Sequence, residues 1–331
     1  MASSFIVVRD GAGRPSPDVD RLKGAVVAIG NFDGVHRGHR SVIATALRRA
    51  RERGVPAAAL TLEPHPRVLF RPELPLFRLS DEAQKLRLLA TTGLDGAMVL
   101  HFDRILASVE AKDFIAEFLL QRLRVSGVAM GFDFHFGKNR GGSPDFLAAE
   151  GERLGFSVDI VPALEDEGRP VSSGSIRSAL VNGQVVEAAE LLGFPWFVTG
   201  EVIGGDKRGR ELGYPTANIR MPVSCGLKHG IYAVRVGRGQ GEDQVRFDGV
   251  ASFGRRPTFD NGAPLLEVFL FDFKGDLYGT VLDVAFIGFI REELKFDSVD
   301  ALVVQMNDDS ARARAMLAAA PDAFPKLGII G

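Results

Sequence analysis

The 331-residue chain has a single cysteine, Cys225, which excludes an intramolecular disulfide and any zinc site built from several thiolates. One thiol fits a reducing compartment and predicts a cytoplasmic location. Long apolar runs are also missing. None approaches the roughly 20 residues of a membrane span. The Phe5-Ile6-Val7-Val8 run is short and has no basic start, so no secretory leader is expected. Charge of one sign is absent too: 40 Lys and Arg stand against 42 Asp and Glu, a net of −2. That balance supplies no basic field for nucleic acid or a generic polyphosphate, so any phosphate recognition must be local. Tyrosine and tryptophan are scarce, at 3 and 1, whereas phenylalanine numbers 24. Most of these rings should be core, but the surplus also suits a flat apolar ligand.

The length allows two domains of about 100–200 residues each. The texture of the chain changes part-way. Apolar runs at 25–29, 57–62, 96–100, 125–131 and 156–161 read as strands, with helical patterns at 40–53, 80–90, 111–123 and 144–154 between them. That βαβ alternation predicts an open parallel sheet with helices on both faces. Residues 175–192 read as one or two helices, broken near Asn182-Gly183. Beyond Phe194 come apolar or alternating runs at 196–203, 230–236, 245–252, 265–273 and 280–290, with no helix between them. They predict a small antiparallel, Greek-key-like barrel. Residues 297–319 read as a helix whose inner face carries Val299, Leu302, Val303, Met306, Ala311 and Met316. The domains are expected at 1–186 and 187–331. No internal repeat or low-complexity tract is present.

The first strand runs into Gly30-Asn31-Phe32-Asp33-Gly34-Val35-His36-Arg37-Gly38-His39. A strand, a glycine-punctuated turn and a helix start together present free N–H groups and a partial positive charge, which suits a phosphate. Glycine lets the backbone approach closely. His36 and His39, three apart, can address one phosphate group and stabilise charge developing on its oxygens. The plain alternative is a tight turn carrying two surface histidines.

A second candidate is the Gly-rich basic stretch Gly204-Gly205-Asp206-Lys207-Arg208-Gly209-Arg210-Glu211-Leu212-Gly213, which leads into Tyr214-Pro215-Thr216-Ala217-Asn218. It lacks the Gly-Lys-Ser/Thr of a Walker loop, yet its glycines could form a nest of amides around phosphate. Thr216 and Asn218 are two apart, so on a strand they face one side. Their oxygens are plausible hard ligands for Mg²⁺, although Thr and Asn line many polar sheet faces. Glu267 sits among apolar neighbours, where an unpaired carboxylate is costly. Its alternative is the solvent face of an alternating strand.

These segments resemble the bacterial bifunctional riboflavin kinase/FAD synthetase family. Further matches are Glu63-Pro64-His65-Pro66, Gly131-Phe132-Asp133-Phe134-His135-Phe136-Gly137, Val171-Ser172-Ser173-Gly174-Ser175-Ile176-Arg177, residues 249–259, residues 266–273, Arg291-Glu292-Glu293-Leu294-Lys295-Phe296 and Gln305-Met306-Asn307-Asp308-Asp309. The resemblance implies an FMN adenylyltransferase domain followed by a riboflavin kinase domain, with riboflavin, FMN and FAD as substrates or products, ATP as co-substrate and Mg²⁺ as cofactor. In the first domain it places ATP over Gly30, Asn31, Phe32, Asp33, Gly34 and Gly38, with His36 and His39 on its phosphates. Ser172, Ser173 and Arg177 would hold the leaving pyrophosphate, and Asp133 and Phe134 would border FMN. In the second it assigns ATP to Gly204, Lys207, Arg210, Gly213 and Pro215, Mg²⁺ to Thr216 and Asn218, the general base to Glu267, and flavin to Arg291 and Phe296.

Three positions depart from the family pattern. Gly174 stands where Thr usually follows the serines, removing one hydroxyl that Ser175 could replace. Phe253 and Phe269 replace polar or different side chains. His65, between two prolines, reads as a rigid loop element. Partners are expected to be small molecules only, with no nucleic acid and no membrane, for a monomer or weak homo-oligomer. The alternative functions are a single-function FMN adenylyltransferase with a flavin-sensing barrel, or a flavin-responsive regulator of transcription. The regulator would need a basic groove that the charge does not provide.

Overall fold

The computed structural model describes residues 5–10, 17–166, 168–204, 213–255 and 264–330. The chain divides into two compact units. The first comprises Met1–Leu76, Ser80–Ser172 and Leu327–Gly331; the second comprises Phe77–Leu79 and Ser173–Lys326.

The first unit is built on a six-stranded parallel sheet of β1 (Ile6–Asp10), β2 (Val26–Ile29), β3 (Ala57–Glu63), β4 (Gly96–His101), β5 (Gly127–Gly131) and β6 (Ser157–Val161). Their order across the sheet is β1-β4-β3-β2-β5-β6, and β7 (Glu165–Asp166) and β8 (Arg169–Pro170) form a separate two-stranded sheet. Every residue of β2 is buried, and β3 and β4 are nearly so, as expected of parallel strands covered on both faces. After β2 the chain moves outward through β3 and β4, then returns to the other side of β2 to form β5. The C-terminal end of β2 is therefore the switch point of the sheet, where α/β folds open a crevice. That end carries Gly30–His39. Strand β1, which pairs with β4 at the sheet edge, lies in the short N-terminal apolar run and is not among the strands that periodicity predicts. The helix Arg37–Arg53 begins three residues earlier than the periodicity indicates, because His36 itself is the N-cap. The 111–123 helix is α-helical over Ala111–Phe114 and continues as a π-helix over Ile115–Arg122.

In the second unit, helices Ser173–Val181 and Val185–Leu192 are separated by Gly183 at φ +78°, the left-handed conformation that ends a helix. Six antiparallel strands then close a barrel: β9 (Phe197–Ile203), β10 (Ala217–Arg220), β11 (Gly230–Arg238), β12 (Val245–Arg255), β13 (Pro264–Leu270) and β14 (Val281–Arg291), in the order β10-β13-β12-β11-β14-β9. Closure leaves no free edge for a second chain to pair with. Strand β10, four residues long, was not among the five apolar runs. The C-terminal helix Val299–Ala319 is capped by Ser298, whose hydroxyl accepts from Ala301 N–H, a cap that contributes about 1 kcal/mol. Its buried residues are Asp309, Ala313 and Leu317, with Met316 packed beside them. Val299 and Ala311, placed on the inner face by periodicity, are exposed. The face is rotated because Asp309 is drawn inward by Arg291.

Candidate active sites

In the first unit the β2 turn is held from beneath by the segment 80–85. Asp33 is buried, and its Oδ1 accepts from Ser80 N–H at 3.0 Å, while Ser80 Oγ accepts from Gly34 N–H at 2.9 Å. The Asp33 carboxylate is thus an anchor of the turn. The Phe32 ring is fully buried, packs against Gly30 and meets His39 edge-on at 5.3 Å, so Phe32 offers a ligand only its backbone. His36 and His39 stack with ring centroids 3.6 Å apart. His36 is buried, and its Nδ1 accepts from His39 N–H at 3.3 Å. His39 Nδ1 is buried with no hydrogen-bond partner among the described residues. Burial, then the His36 ring, then the Lys85 ammonium hold the His39 imidazole well below its ordinary pKa. His39 is therefore held neutral, and its ring offers an oriented N–H in place of a charge. Gly38 lies close to its surroundings: a Cβ there would come 3.0 Å from Val171 O.

Beside the turn opens a cavity of about 870 Å³. Gly30, Asn31 and Phe134 line it, together with Phe70, Phe102 and Phe114 and the basic side chains Arg67, Arg71 and Arg140. Asn31 Oδ1 is buried without a hydrogen-bond partner among the described residues. Asp133, adjacent to Phe134, is exposed and not part of the lining. His65 caps the short helix Pro66–Phe70 by accepting from Arg67 N–H at 3.1 Å, which agrees with a rigid loop role, and it also lines the cavity. Ser172 ends the first unit and Ser173 begins the second. Arg177 belongs to the second unit, where its Nε donates to Phe77 O at 2.6 Å.

The second unit carries a cavity of about 370 Å³ that brings together Thr216, Glu267, Arg291 and Phe296. Glu267 and Phe269 on β13 alternate with fully buried Leu266 and Val268, so they face away from those residues and toward the C-terminal helix. Leu302, Met306 and Asp309 of that helix complete the wall. Arg291 is fixed by a bidentate pair with Asp309: Nε to Oδ1 is 2.8 Å and Nη2 to Oδ2 is 2.6 Å. Its guanidinium carbon lies 5.9 Å from the centre of the Phe296 ring. Tyr214 OH donates to Asn307 Oδ1 at 2.5 Å, and its ring lies 4.6 Å from that of Phe269. Asn218 on β10 is buried, its Nδ2 donates to Thr216 O, and its Oδ1 has no partner among the described residues. Of the departures from the family pattern, Phe269 is cavity wall and Phe253 is fully buried core. Gly204, Gly213 and Pro215 are exposed at the ends of β9 and the approach to β10. Lys207 and Arg210, with residues 256–259 of the family match, lie outside the described residues.

The FAD synthetase family model matches residues 18–175, and the riboflavin kinase family model matches residues 192–317. The chain is 41% identical over 302 residues to the bifunctional riboflavin kinase/FMN adenylyltransferase of Pseudomonas fluorescens, covering 91% of this chain and 95% of that protein. It is 40% identical over 294 residues to the protein of the same name from Haemophilus influenzae, covering 89% and 94%. The chain belongs to the bifunctional riboflavin kinase/FMN adenylyltransferase family. A solved Streptococcus pneumoniae structure described as a macrolide-efflux protein shares the fold, with a TM-score of 0.82 and 32% identity over 94% of this chain and 99% of that one. No helix among the described residues is long and apolar enough to cross a membrane.

As a member of this family, the chain carries both halves, and the single-function alternative gives way. What the sequence does not disclose in either site is the supporting layer. Ser80 and Lys85 lie outside the family segments, and Glu63 and Asp309 lie within them but carry no assigned role; all four hold the turn or the cavity wall, each acting on a residue distant in sequence. Arg67, Arg71 and Arg140 gave a weak signal, being basic residues beside the quoted Pro-His-Pro and Phe-Asp-Phe-His-Phe-Gly segments.

Proposed function

We propose that the barrel unit phosphorylates riboflavin with ATP, giving FMN and ADP, and that the sheet unit transfers AMP from a second ATP to FMN, giving FAD and pyrophosphate. The carrying observation is the barrel cavity that gathers Thr216, Glu267, Arg291 and Phe296 on one wall system. Glu267 Oε accepts the proton of the ribityl 5′-hydroxyl as that oxygen attacks the γ-phosphorus and the bond to the ADP oxygen breaks. Arg291, immobilised by Asp309, and Phe296 orient the flavin ring system. Asn218 Oδ1, buried with no partner among the described residues, and the Thr216 hydroxyl fit a hard divalent cation such as Mg²⁺, together with nucleotide phosphate oxygens. The ion supplies neutralisation of phosphate charge when bound.

In the sheet unit, an FMN phosphate oxygen attacks the ATP α-phosphorus and the bond to the pyrophosphate oxygen breaks. The β2 turn positions the ATP phosphates with backbone N–H groups, and His36 and His39 donate to the charge that develops there. The apolar, arginine-rimmed cavity beside Asn31 accommodates the flavin of FMN. The test is a chromatographic time course of the purified chain with riboflavin, ATP and Mg²⁺. FMN should appear first and FAD follow. Absence of FMN from riboflavin would overturn the kinase assignment, and absence of FAD when FMN is supplied would overturn the adenylylation assignment.

A further inference from the structure

Beneath the β2 turn lies a buried ion pair. Lys85, on the helix Glu82–Leu89, is 1% exposed, and its Nζ is 2.6 Å from Glu63 Oε1 at the end of β3. The same Nζ donates to Asn31 O at 3.2 Å, to Thr61 Oγ1 at 3.0 Å and to Leu62 O at 3.4 Å. Thr61 Oγ1 in turn donates to Asn31 O at 3.2 Å. An ammonium has three protons, and at least four acceptors among the described residues surround this one. Saturated and sealed from solvent, Lys85 cannot be a phosphate ligand. Its work is on the Asn31–Phe32 peptide.

That peptide is trans, so its C=O and N–H point in opposite directions. With Asn31 O drawn down onto Lys85 and Thr61, the Phe32 N–H is turned away from them. It has no acceptor among the described residues. Phe32 also sits at φ +51° and Val35 at φ +42°, left-handed conformations that bulky and β-branched side chains adopt only when the surroundings impose them. The restraints are visible: the buried Phe32 ring on Gly30, the Val35 N–H donating to Phe32 O at 3.1 Å, and the two donors on Asn31 O. Left-handed turns of this kind direct amides toward an anion.

We propose that Lys85, neutralised by Glu63, is a positioning residue for adenylyl transfer: it pins the Asn31 carbonyl so that the Phe32 N–H is preorganised toward the phosphoryl group being transferred. This rests on the assignment of adenylyl transfer to the sheet unit. Because a fixed amide gains most where negative charge builds, its loss falls on kcat more than on the KM for ATP.

The test removes both charges together, since Lys85→Met alone would strand a buried carboxylate. In the Lys85→Met/Glu63→Gln chain, kcat for FAD formation from FMN and ATP should fall about 100-fold, the size of effect that misplacing a positioned group produces. The KM for ATP and riboflavin phosphorylation by the same preparation should not change. Thr61→Val, which deletes the second donor to Asn31 O and keeps the ion pair, should lower the same kcat about tenfold, the factor equivalent to one neutral hydrogen bond. A folded double variant that makes FAD at the wild-type rate would overturn the proposal. So would parallel loss of both activities with an early melt, which marks a purely structural pair. If the double variant does not fold, a full-rate Thr61→Val enzyme overturns it as well. Failure of the unmodified chain to make FAD would strike the adenylylation assignment itself, and is read separately.

Discussion

Asn218 and Glu267 face each other across the β10–β13 ladder as register partners. One belongs to a four-residue strand that hydropathy does not reveal, the other to an apolar strand where a carboxylate has no packing reason to be. The Asn218 Oδ1 is buried and has no hydrogen-bond partner among the described residues. A buried polar atom without a partner costs about 1–3 kcal/mol. The protein alone gains nothing from that cost, whereas a cation-binding site does. Thr216 lies just before the same strand and opens on the same cavity as Glu267.

Stability and function should therefore move in opposite directions at position 218. Asn218→Leu, close in volume, removes an unsatisfied oxygen and should leave the melting temperature unchanged or raised. The Mg²⁺ concentration needed for half-maximal riboflavin phosphorylation should rise about 10–100-fold, the effect typical of losing a group that shapes a metal site. A metal titration of activity beside a thermal melt checks both. A variant that melts early with an unchanged Mg²⁺ requirement would make Asn218 a structural residue.

Glu267→Gln keeps shape and hydrogen-bonding reach and removes only basicity. Riboflavin phosphorylation should fall about 10²–10⁴-fold in kcat, the usual worth of a positioned general base. FAD formation from supplied FMN should persist at the wild-type rate, because that chemistry resides in the other unit. Retention of phosphorylation at more than a tenth of the wild-type rate would remove Glu267 from the base role, about 1.4 kcal/mol being too little for proton abstraction.

The glycine-punctuated turn after β2 and the change from alternating to all-strand texture were legible because both are local: glycine spacing, strand length and apolar period are written in neighbouring residues. The second tier was not. Lys85 falls in a short helix where lysine reads as a solvated position, and only the fold seals it against Glu63 and Asn31, 22 and 54 residues away. The C-terminal helix shows the same limit. Periodicity placed Val299 and Ala311 inward, but the bidentate Arg291–Asp309 pair turns the carboxylate of Asp309 into the buried face. Strand β10 escaped because four residues closing a barrel need pairing partners more than they need a pattern. Propensity carries little weight when cross-strand neighbours decide.

His39 should stay neutral through the mildly acidic range. Burial first, then His36 and Lys85, lower its pKa from the ordinary 6.5. In the unfolded chain the ring takes up a proton near that ordinary value, while in the folded chain it does so only at lower pH. Between the two pKa values the unfolded state binds more protons, so stability is full above about pH 6.5 and falls as pH drops below it. NMR titration should show the His39 ring unprotonated where a free histidine is half charged. Adding ATP should move the midpoint upward, since phosphate charge beside the ring favours the protonated form. A midpoint at the ordinary value without nucleotide would contradict the buried environment, and no response to ATP would remove His39 from the phosphate site.

The last prediction concerns what holds the C-terminal helix, and with it the cavity wall. Arg235, buried on β11, donates Nη1 to Ala320 O and Pro321 O, each at 2.7 Å, and Nη2 to Leu317 O at 3.1 Å, while its Nε is 2.8 Å from Asp248. These carbonyls lie at or just beyond the end of Val299–Ala319, where a helix has no amide donors left to offer. One guanidinium serves as the C-cap and as counter-charge to the helix dipole. Arg235→Met should fill the volume but leave the buried Leu317 carbonyl and the part-buried carbonyls beyond it without a donor, destabilising the barrel unit by about 2 kcal/mol, in the range for an unsatisfied buried acceptor beside a half-exposed carboxylate. Because Leu302, Met306 and Asp309 of that helix wall the cavity proposed to take the flavin, the variant should show a raised KM for riboflavin before it loses kcat. Chemical denaturation followed alongside riboflavin saturation curves checks this. An unchanged KM in a destabilised variant would mean that the end of the helix can fray without disturbing the wall, and would confine Arg235 to stability.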